Sequence, residues 1–569
     1  MSSQVAQAPE DHRLQHRFLE LLGLCALALG QPLFSLIGSA PEFFSARKIP
    51  GTAAVAFALA IILGLPLAAL VAESIAQRAR SRWGDRLHDI LRGALLSAIA
   101  LGLLKALEKE ATRATGVVVS GWLLIVVAVV CGVAVLALLR RSPVSRSFVR
   151  FLAVAAPFAL FTFLTSVPMS STAAPGAPPA RHPAPIVMVV MDELPTTSLL
   201  ASGHRIDARR LPNFARLARE GTFYPNMTTV ADQTTAALPS LLSGRRGPRD
   251  IQAPETGAWP QNLFTLLRRG YRLDAREPLT RLCPPDACPD EARSTTQAMG
   301  SLASETSHLA YLSVAPPDLA PRSPLIGGAD ERDPGRDIAE FLAKVRPEPR
   351  PTLDFIHVMT PHRPWGRLPS GRSYPVAGDG GVPESVRETL RLPEDRRVAL
   401  RLWRAHLLQV GYADRLLGRV IAHLKHTGLY DRALVVVAAD HGVSFRPGEP
   451  LRDVTPANVG DVGAVPLFIK QPGGRNRGTD LAPAQGIDVL PTILEGIGAK
   501  APRDLDGVSL LGAVPRKRPV RVLSTKSTYV TTSLQEILRR RTRVLEIQRR
   551  EVIEAPEWRQ RCRAAGSGC

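Results

Sequence analysis

The sequence predicts an N-terminal bundle of about five membrane-spanning helices, followed by an α/β domain with a mostly parallel central sheet and helices on both faces. The first observation is that the apolar residues of the 569-residue chain concentrate in its first third. The second is that two later apolar runs of strand length, "IVMVVMDE" and "LVVVAADHG", alternate with amphipathic helical patterns. We predict a membrane domain over 1–167, a linker over 168–184, the α/β domain over 185–514 and a basic tail over 515–569.

Five apolar stretches have roughly the 20 residues that a helix needs to cross about 30 Å of hydrocarbon. They are 18–38, 52–72, 91–107, 116–139 and 151–167. The third is the weakest because Arg92 and Lys105 flank a short apolar centre, although both side chains can snorkel towards the headgroups. A hydrophilic leader before the first stretch, and further apolar stretches after it, favour a retained span over a cleaved signal peptide.

Arginines predict the orientation of these spans. Four of them (Arg78, Arg80, Arg82, Arg86) lie between spans two and three, and four more (Arg140, Arg141, Arg146, Arg150) between spans four and five. Basic loops stay on the cytoplasmic side, so we expect a multi-pass protein of the cytoplasmic (inner) membrane whose α/β domain is extracytoplasmic. Loss of the weak third span would reverse this orientation.

Cysteine spacing is compatible with that compartment. Cys283 with Cys288, and Cys562 with Cys569, form two close pairs that suit local disulfides in an oxidising environment. A zinc site is disfavoured because neither pair has the two-residue spacing common in such sites. The linker is rich in Pro and Ala and so predicts a semi-rigid spacer. The tail, with "PRKRP" and "LRRRTRVLEIQRR", is compatible with a helix on anionic headgroups or with a solvated helix.

Acidic and imidazole side chains follow both apolar strands. Asp192 and Glu193 end the first strand, and Asp440 and His441 end the second. The carboxyl ends of strands in open α/β sheets converge on sites, so these four residues predict a divalent cation. Mixed oxygen and nitrogen ligands suit zinc or manganese better than magnesium or calcium, which remain open. Either motif alone is equally typical of a turn or a helix cap.

A hydroxyl group supplies a third element in "DQTTAALPSLLSGRR". Thr234 and Thr235 precede a small-residue run that predicts a helix, whose N-terminus favours an anion. A threonine hydroxyl becomes a useful nucleophile when a divalent metal lowers its pKa. A plain N-cap is the alternative, and the pattern does not choose between the two threonines.

Taken in order, the motifs of residues 185–511 resemble the alkaline phosphatase superfamily, in its sulfatase-like branch. They are "PIVMVVMDE", "LPNFARLAREGTFYPNMTTVADQTTAALPSLLSG", "LDFIHVMTPHRPW", "TGLYDRALVVVAADHG", "VPLFIKQPGG" and "IDVLPTILEGIGAKAPRDLDGVSLL". The resemblance implies that Asp192, Glu193, Thr234, Asp440 and His441 bind metal and that Thr234 is the nucleophile. It also implies that two histidines, His357 and His362, bind the ester anion or protonate the leaving group. No histidine follows in the stretch after "DHG", so Arg446 and Arg452 are candidates for anion binding.

The resemblance also narrows the reaction. Sulfatases of this fold mature a cysteine or serine to formylglycine, and Thr234 stands at that position. Threonine cannot be matured in this way, which favours phosphoryl chemistry through a phosphothreonine. The membrane architecture is similar to that of lipoteichoic acid synthases and phosphoethanolamine transferases. It implies membrane lipids as partners, with an anionic phospholipid or envelope glycan as substrate and no nucleic acid. A sulfatase, a tethered phosphodiesterase or phosphatase, and an inactive membrane scaffold are the alternatives.

Overall fold

A computed structural model describes residues 8–38, 42–115, 119–166, 180–249, 253–289, 294–316, 333–373, 390–474, 478–556 and 558. The chain divides into two compact units. The first comprises Met1–Ser170 with Arg293–Leu325, and the second Ser171–Ala292 with Ile326–Cys569. Most of the predicted linker, residues 168–179, lies outside the described residues.

Helices make up the N-terminal part of the first unit. They are α1 (Ala8–Cys25), α2 (Gln31–Gly38), α3 (Glu42–Ala46), α4 (Gly51–Leu59), α5 (Leu65–Ala79), α6 (Ser81–Thr115), α7 (Gly121–Arg141), α8 (Pro143–Phe151) and α9 (Ala155–Ser166). Among the described residues, five helical stretches are long and apolar enough to cross a membrane. They are His12–Gly38, Gly51–Ala79, Arg82–Thr112, Gly121–Arg141 and Pro143–Thr165, which confirms the predicted five, including the weak third.

Buried charged side chains join three of these helices. Glu73 of α5 is 1% exposed and lies 2.9 Å from Nδ1 of His88 on α6 and 3.3 Å from Arg17 on α1. Glu20 of α1 lies 3.5 Å from Nε of Arg92 on α6. Breaking a buried pair leaves an uncompensated charge at a cost of about 3–5 kcal/mol, so these contacts restrict how α1, α5 and α6 can pack.

Among the described residues of the second unit, seven strands form the central sheet. The strands of this unit are β1 (Ile186–Met191), β2 (Leu200–Ser202), β3 (Arg205–Ile206), β4 (Thr222–Tyr224), β5 (Arg272–Arg276), β6 (Thr352–Val358), β7 (Leu434–Ala439), β8 (Leu467–Lys470), β9 (Gly478–Thr479), β10 (Val520–Leu523) and β11 (Tyr529–Thr532). The sheet order is β5-β6-β1-β7-β8-β4-β9. The strands from β5 to β7 in this order run parallel, while β8 pairs antiparallel with β7 and β4. The mostly parallel sheet is therefore confirmed.

The later helices follow the alternation that the sequence predicts. They are α10 (Pro212–Glu220), α11 (Thr234–Ser243), α12 (Leu263–Leu267), α13 (Thr295–Val314), α14 (Pro334–Leu342), α15 (Arg396–His426), α16 (Val459–Val462), α17 (Val489–Gly496) and α18 (Leu534–Ile547). Helix α13 belongs to the first unit, although β5 precedes it and β6 follows it in the chain. Its Leu302 and Leu309 are buried with Phe34 of α2 in one apolar cluster.

Strands β1 and β7 are buried along their whole length, because helices cover both faces of a parallel sheet. Their sequences are therefore continuous apolar runs, rich in valine, and do not alternate between apolar and polar residues. Nearby, the rings of Phe223 on β4 and Phe468 on β8 stack with centroids 4.6 Å apart. Full burial of one such side chain contributes about 1.5–3 kcal/mol. This core holds the carboxyl ends of β1 and β7 side by side.

The cysteine and tail predictions have different outcomes. Cys283 and Cys288 form the predicted disulfide, whereas Cys562 and Cys569 lie outside the described residues. The basic tail contains helix α18, whose Arg541 is buried and donates hydrogen bonds to the Pro225 carbonyl (2.7 Å) and to Asn226 Oδ1 (2.9 Å). One face of the predicted basic helix is therefore packed within the second unit.

Candidate active site

The two acidic strand ends meet because β1 and β7 are adjacent and parallel. Met191 lies opposite Ala439 in the register, so Asp192 and Asp440 follow at the same edge of the sheet. The backbone N–H of Asp440 donates to the Met191 carbonyl at 3.2 Å, and that of Glu193 donates to Asp440 Oδ1 at 3.3 Å. The sheet itself thus sets the separation of the two carboxylates.

Four of the predicted side chains form one buried group. Ligand atoms of Asp192, Asp440 and His441 lie within 4.8 Å of one another. Oγ1 of Thr234 lies 2.7 Å from Asp440 Oδ2, 3.4 Å from Asp192 Oδ2 and 3.5 Å from His441 Nε2. We call these four residues the metal-ligand group.

Thr234 reaches the group because α11 begins at this residue. Gln233 before it is extended, and every residue of α11 is buried, which holds the helix start against the strand ends. Oγ1 of Thr235 is also buried but has no hydrogen-bond partner among the described residues. The structure thus brings Thr234, and not Thr235, into contact with the carboxylates.

The electrostatics of the two carboxylates differ. Burial raises the pKa of Asp440, and the negative charge of Asp192 raises it further. Burial also opposes ionisation of Asp192, but the positive charges of His362, His357 and His441 outweigh it and hold the Asp192 pKa far below its usual range. A pair of buried carboxyl groups this close needs a positive partner to be charged together.

The metal-ligand group fits a divalent cation. Oδ1 of Asp192 is buried and accepts no hydrogen bond from the described residues. An acceptor of this kind is costly to bury unless something pairs with it. Two carboxylates, one imidazole and one hydroxyl also form the mixed oxygen and nitrogen donor set that suits such a cation.

His357 lies behind the group. Its Nε2 is 3.3 Å from Asp192 Oδ2 and 3.8 Å from Asp440 Oδ2, and its side chain is fully buried at the end of β6. Burial alone would lower the pKa of His357, but the nearby charges of Asp192 and Asp440 raise it. His357 therefore contacts the carboxylates of the group.

Glu193 is directed elsewhere. Its backbone has φ of 60°, a left-handed conformation that is uncommon for a non-glycine residue. Its carboxylate pairs with Nε of Arg452 at 3.1 Å and accepts the backbone N–H of Arg363 at 3.0 Å. The ligand atoms that cluster in the described residues do not include those of Glu193, and its ligand role stays a prediction.

The other predicted side chains separate into two places. Arg452 lies between Glu193 and His362, with its NH1 3.1 Å from His362 Nε2. Arg446 instead donates from Nε to Asp461 Oδ2 at 2.9 Å. His362 and Arg452 are therefore neighbours, whereas Arg446 is held by a different carboxylate.

Asp232 is a neighbour that the sequence interpretation missed. Its carboxylate accepts the backbone N–H groups of Val454 (2.8 Å) and Thr525 (3.3 Å), and it is 1% exposed. Burial raises the pKa of Asp232 to about 6. The contact ties the segment after β10 to the start of α11, next to Thr234. The sequence feature that could have identified Asp232 is its position, as an acidic residue two positions before Thr234 in an otherwise uncharged stretch.

The family model for sulfatases matches residues 185–499, which is more than half of the chain. The chain belongs to the sulfatase family. It is thus a member of the alkaline phosphatase superfamily in its sulfatase-like branch, as the motifs implied. Members of the sulfatase family bind a divalent metal, which agrees with the donor set of the metal-ligand group.

Relatives match over parts of their length. PehA, a multifunctional alkaline phosphatase superfamily protein of Trinickia caryophylli, is 36% identical over 108 residues, covering 19% of this chain and 21% of PehA. A lipoteichoic acid synthase of Staphylococcus saprophyticus is 28% identical over 180 residues, covering 30% of this chain and 24% of the synthase. The match thus spans less than a quarter of the length of these curated relatives.

Among solved structures, the phosphonate monoester hydrolase SpPMH from Silicibacter pomeroyi is similar to this chain at 20% identity. The match has a TM-score of 0.40 and covers 60% of this chain and 79% of the hydrolase.

Proposed function

We propose that this protein is a membrane-anchored, metal-dependent enzyme that transfers or hydrolyses a phospho-substituent through Thr234. The supporting observation is the Thr234 hydroxyl, 2.7 Å from Asp440 and in contact with Asp192 and His441. The substrate is an anionic phospholipid or an envelope glycan. The match to a protein named lipoteichoic acid synthase supports this class of substrate.

The metal would be held by Asp192, Thr234, Asp440 and His441, and zinc or manganese suits these ligands best. When bound, such an ion lowers the pKa of a coordinated hydroxyl and neutralises developing negative charge. His357, buried against Asp192, orients that carboxylate.

The first chemical step forms a bond between Thr234 Oγ1 and phosphorus and breaks the bond from phosphorus to the leaving oxygen. The hydroxyl proton of Thr234 passes to Asp440 Oδ2, to which it is already hydrogen-bonded. Arg452 binds the non-bridging oxygens, and His362 beside it protonates the leaving oxygen. In the second step an acceptor hydroxyl, or water, attacks the phosphorus of the phosphothreonine and gives its proton to His362. The bond from phosphorus to Thr234 Oγ1 breaks, and Oγ1 takes back the proton held by Asp440.

The nucleophile favours phosphate over sulfate esters. Sulfatases of this fold need a cysteine or serine that is matured to formylglycine, and a threonine takes that position here. The unmodified hydroxyl group of a threonine is suited to forming a phosphoester intermediate.

Helix α13 contacts the membrane helices of the first unit. Glu305 of α13 accepts hydrogen bonds from Arg47 Nε (3.0 Å) and NH2 (2.8 Å), and Thr295 Oγ1 lies 3.3 Å from Thr52 Oγ1. Arg47 and Thr52 flank the connection between the first two spans. Within the first unit, the chain between β5 and β6 therefore packs against residues near the start of the second span. An extracytoplasmic α/β domain is proposed from the arginine-rich loops between the spans.

Impermeant maleimide labelling of intact spheroplasts tests this orientation. In a chain with Cys25, Cys131, Cys562 and Cys569 replaced by serine, Leu481→Cys should react and Arg80→Cys should react only after the membrane is permeabilised. Labelling of Arg80→Cys in intact spheroplasts would place the α/β domain in the cytoplasm.

The activity test uses the full chain with zinc or manganese and a panel of aryl phosphodiester, phosphomonoester and sulfate esters. We expect metal-dependent phosphoester turnover that is lost in Thr234→Ala and kept in the matched control Thr235→Ala. Digestion of the quenched protein and peptide mapping by mass spectrometry should show a phospho-adduct on the peptide that contains Thr234. Turnover of the sulfate ester alone would indicate a sulfatase, and no turnover with no bound metal would indicate an inactive scaffold.

A further inference from the structure

A pocket of about 400 Å³ lies in the second unit, next to the strand ends that carry the metal-ligand group. Its lining includes Pro195, three residues after Asp192, and Val443, two residues after His441. A Cβ built on Gly442 would lie 3.1 Å from Pro195 Cβ and 2.3 Å from the carbonyl oxygen of Asp461, another lining residue. The pocket wall and the metal-ligand group thus share the Gly442 backbone.

The walls of the pocket are mostly apolar. The rings of Trp403 and Phe445 lie nearly parallel with centroids 5.7 Å apart, and Leu400 of α15 extends this surface. Val544 and Ile547 of α18 provide a second apolar wall. A volume of several hundred Å³ with mostly apolar walls is typical of a ligand site, which generally measures about 300–1,000 Å³.

Charged side chains of both signs line the same pocket. The cations are Arg396, Arg446 and Arg543, and the carboxylates are Glu449 and Asp461. Arg446 is paired with Asp461 at 2.9 Å and Arg396 with Glu551, whereas Arg543 is exposed. The exposed guanidinium of Arg543 beside an apolar cavity complements an amphiphile that has an anionic head and an apolar body.

We propose that this pocket binds an acyl chain of an anionic phospholipid, with the exposed Arg543 at its edge facing the headgroup. This inference rests on the proposed function, since it assigns the chain to the substrate whose phosphoester reacts at Thr234. The position supports the assignment, because the pocket adjoins both strands that end in the metal-ligand group. Five membrane-length helices keep the protein at a surface where such lipids are abundant.

Photolabelling tests binding without relying on turnover. The full chain in nanodiscs is irradiated with lysophosphatidic acid whose hexadecanoyl chain carries a diazirine, and the labelled peptides are mapped by mass spectrometry. We expect label on peptides covering residues 396–404 and 543–548. Leu400→Trp and Ile547→Trp, which add bulk inside the pocket, should each reduce that label at least tenfold. Leu481→Trp, at a residue that is 51% exposed and does not line the pocket, should not.

Label confined to the membrane spans, or unchanged in both pocket variants, would overturn the proposal. A second measurement compares kcat/KM for a long-chain phospholipid with kcat/KM for bis(p-nitrophenyl) phosphate. The ratio should fall at least tenfold in Leu400→Trp and Ile547→Trp, and an unchanged ratio would contradict a substrate role. If the wild-type chain cleaves neither ester, the proposed function fails, while the photolabelling still decides whether the pocket binds an acyl chain.

Discussion

The hydroxyl of Thr234 donates a 2.7 Å hydrogen bond to Oδ2 of Asp440, although 206 residues separate the two in the chain. Two features produce this contact: the parallel pairing of β1 with β7, and the start of α11 at Thr234. The contact joins the proposed nucleophile to a proposed metal ligand. Its consequences can be tested one side chain at a time.

The first prediction concerns metal binding. Asp440→Asn keeps the size of the side chain but removes its charge and one ligand oxygen. We expect the affinity for zinc or manganese to fall by about 100-fold or more. Mutation of residues that only hydrogen-bond to metal ligands already lowers metal affinity by about 10–100-fold. Competition with a chromogenic chelator measures it in the full chain.

A matched control for this prediction is Asp414→Asn. Asp414 is also buried, but its carboxylate accepts the backbone N–H of Phe214 at 2.8 Å and has no contact with the metal-ligand group. Metal affinity should be retained in this variant. Equal losses in Asp440→Asn and Asp414→Asn would show that the effect arises from unfolding and not from a lost ligand.

The second prediction separates the two arginines. Arg452→Ala should lower kcat/KM for an aryl phosphodiester by about 10- to 100-fold, because hydrogen bonds to charged groups contribute about 1.5–3 kcal/mol. Arg446→Ala should change it by less than about threefold, since the described contacts of that guanidinium are with Asp461 and include neither His362 nor the metal-ligand group. Steady-state kinetics on the soluble ester distinguishes them, and a larger effect for Arg446→Ala would reverse the assignment.

Arg452→Lys controls for loss of charge. In Arg452→Ala the fully buried carboxylate of Glu193 loses its partner, which by itself costs about 3–5 kcal/mol of stability. Lysine keeps the positive charge but not the planar fork that binds two phosphate oxygens. We therefore expect Arg452→Lys to recover thermal stability more fully than kcat/KM.

The third prediction concerns Gly442, which lies between His441 and Val443. A Cβ here would lie 2.3 Å from the carbonyl oxygen of Asp461 and 3.1 Å from that of Val462, and backbone atoms cannot swing away as a flexible side chain can. Gly442→Ala should therefore lower stability by about 1–3 kcal/mol and weaken metal binding by displacing His441. Thermal unfolding followed by circular dichroism, together with the chelator competition, measures both effects.

Gly270→Ala is the control for that substitution. No atom lies within 4 Å of the Cβ position at Gly270, so the variant should keep both the unfolding temperature and the metal affinity. If Gly442→Ala behaved in the same way, the close packing between this loop and Asp461 would not restrain His441.

The fourth prediction concerns pH. His406 is fully buried, its Nε2 lies 3.0 Å from Ser198 Oγ, and burial lowers its pKa from 6.5 to about 3. Between these values the unfolded chain binds a proton that the folded chain does not. The free energy of unfolding should therefore fall by about 1.4 kcal/mol per pH unit as the pH drops below 6.5. Above that pH, His406 should contribute no pH dependence.

His406→Gln tests this assignment because glutamine keeps a polar group near Ser198 but does not titrate. Urea unfolding of the full chain at a series of pH values between 4.5 and 8, about the range in which an unperturbed histidine titrates, should show a shallower acid-side slope for the variant. Equal slopes in the two proteins would assign the acid sensitivity to other groups.

Local sequence patterns were sufficient to predict several structural features of this protein. The five membrane-length helices follow from the lengths of apolar runs, which must match the thickness of the hydrocarbon layer. Uninterrupted apolar residues predict strands β1 and β7. The same pattern predicts that the acidic residues directly after them lie at the ends of these strands. Cys283 and Cys288 are close enough in sequence to pair. Each of these features depends on residues that are near one another in the chain.

Contacts between distant segments decided the rest. Thr234 and Thr235 are equivalent in sequence, and only the start of α11 brings one of them to Asp440. The left-handed backbone at Glu193 directs its carboxylate to Arg452. Helix α13 joins the first unit although strands of the second unit flank it in the chain. Such outcomes depend on packing between segments far apart in sequence, which periodicity and composition do not encode.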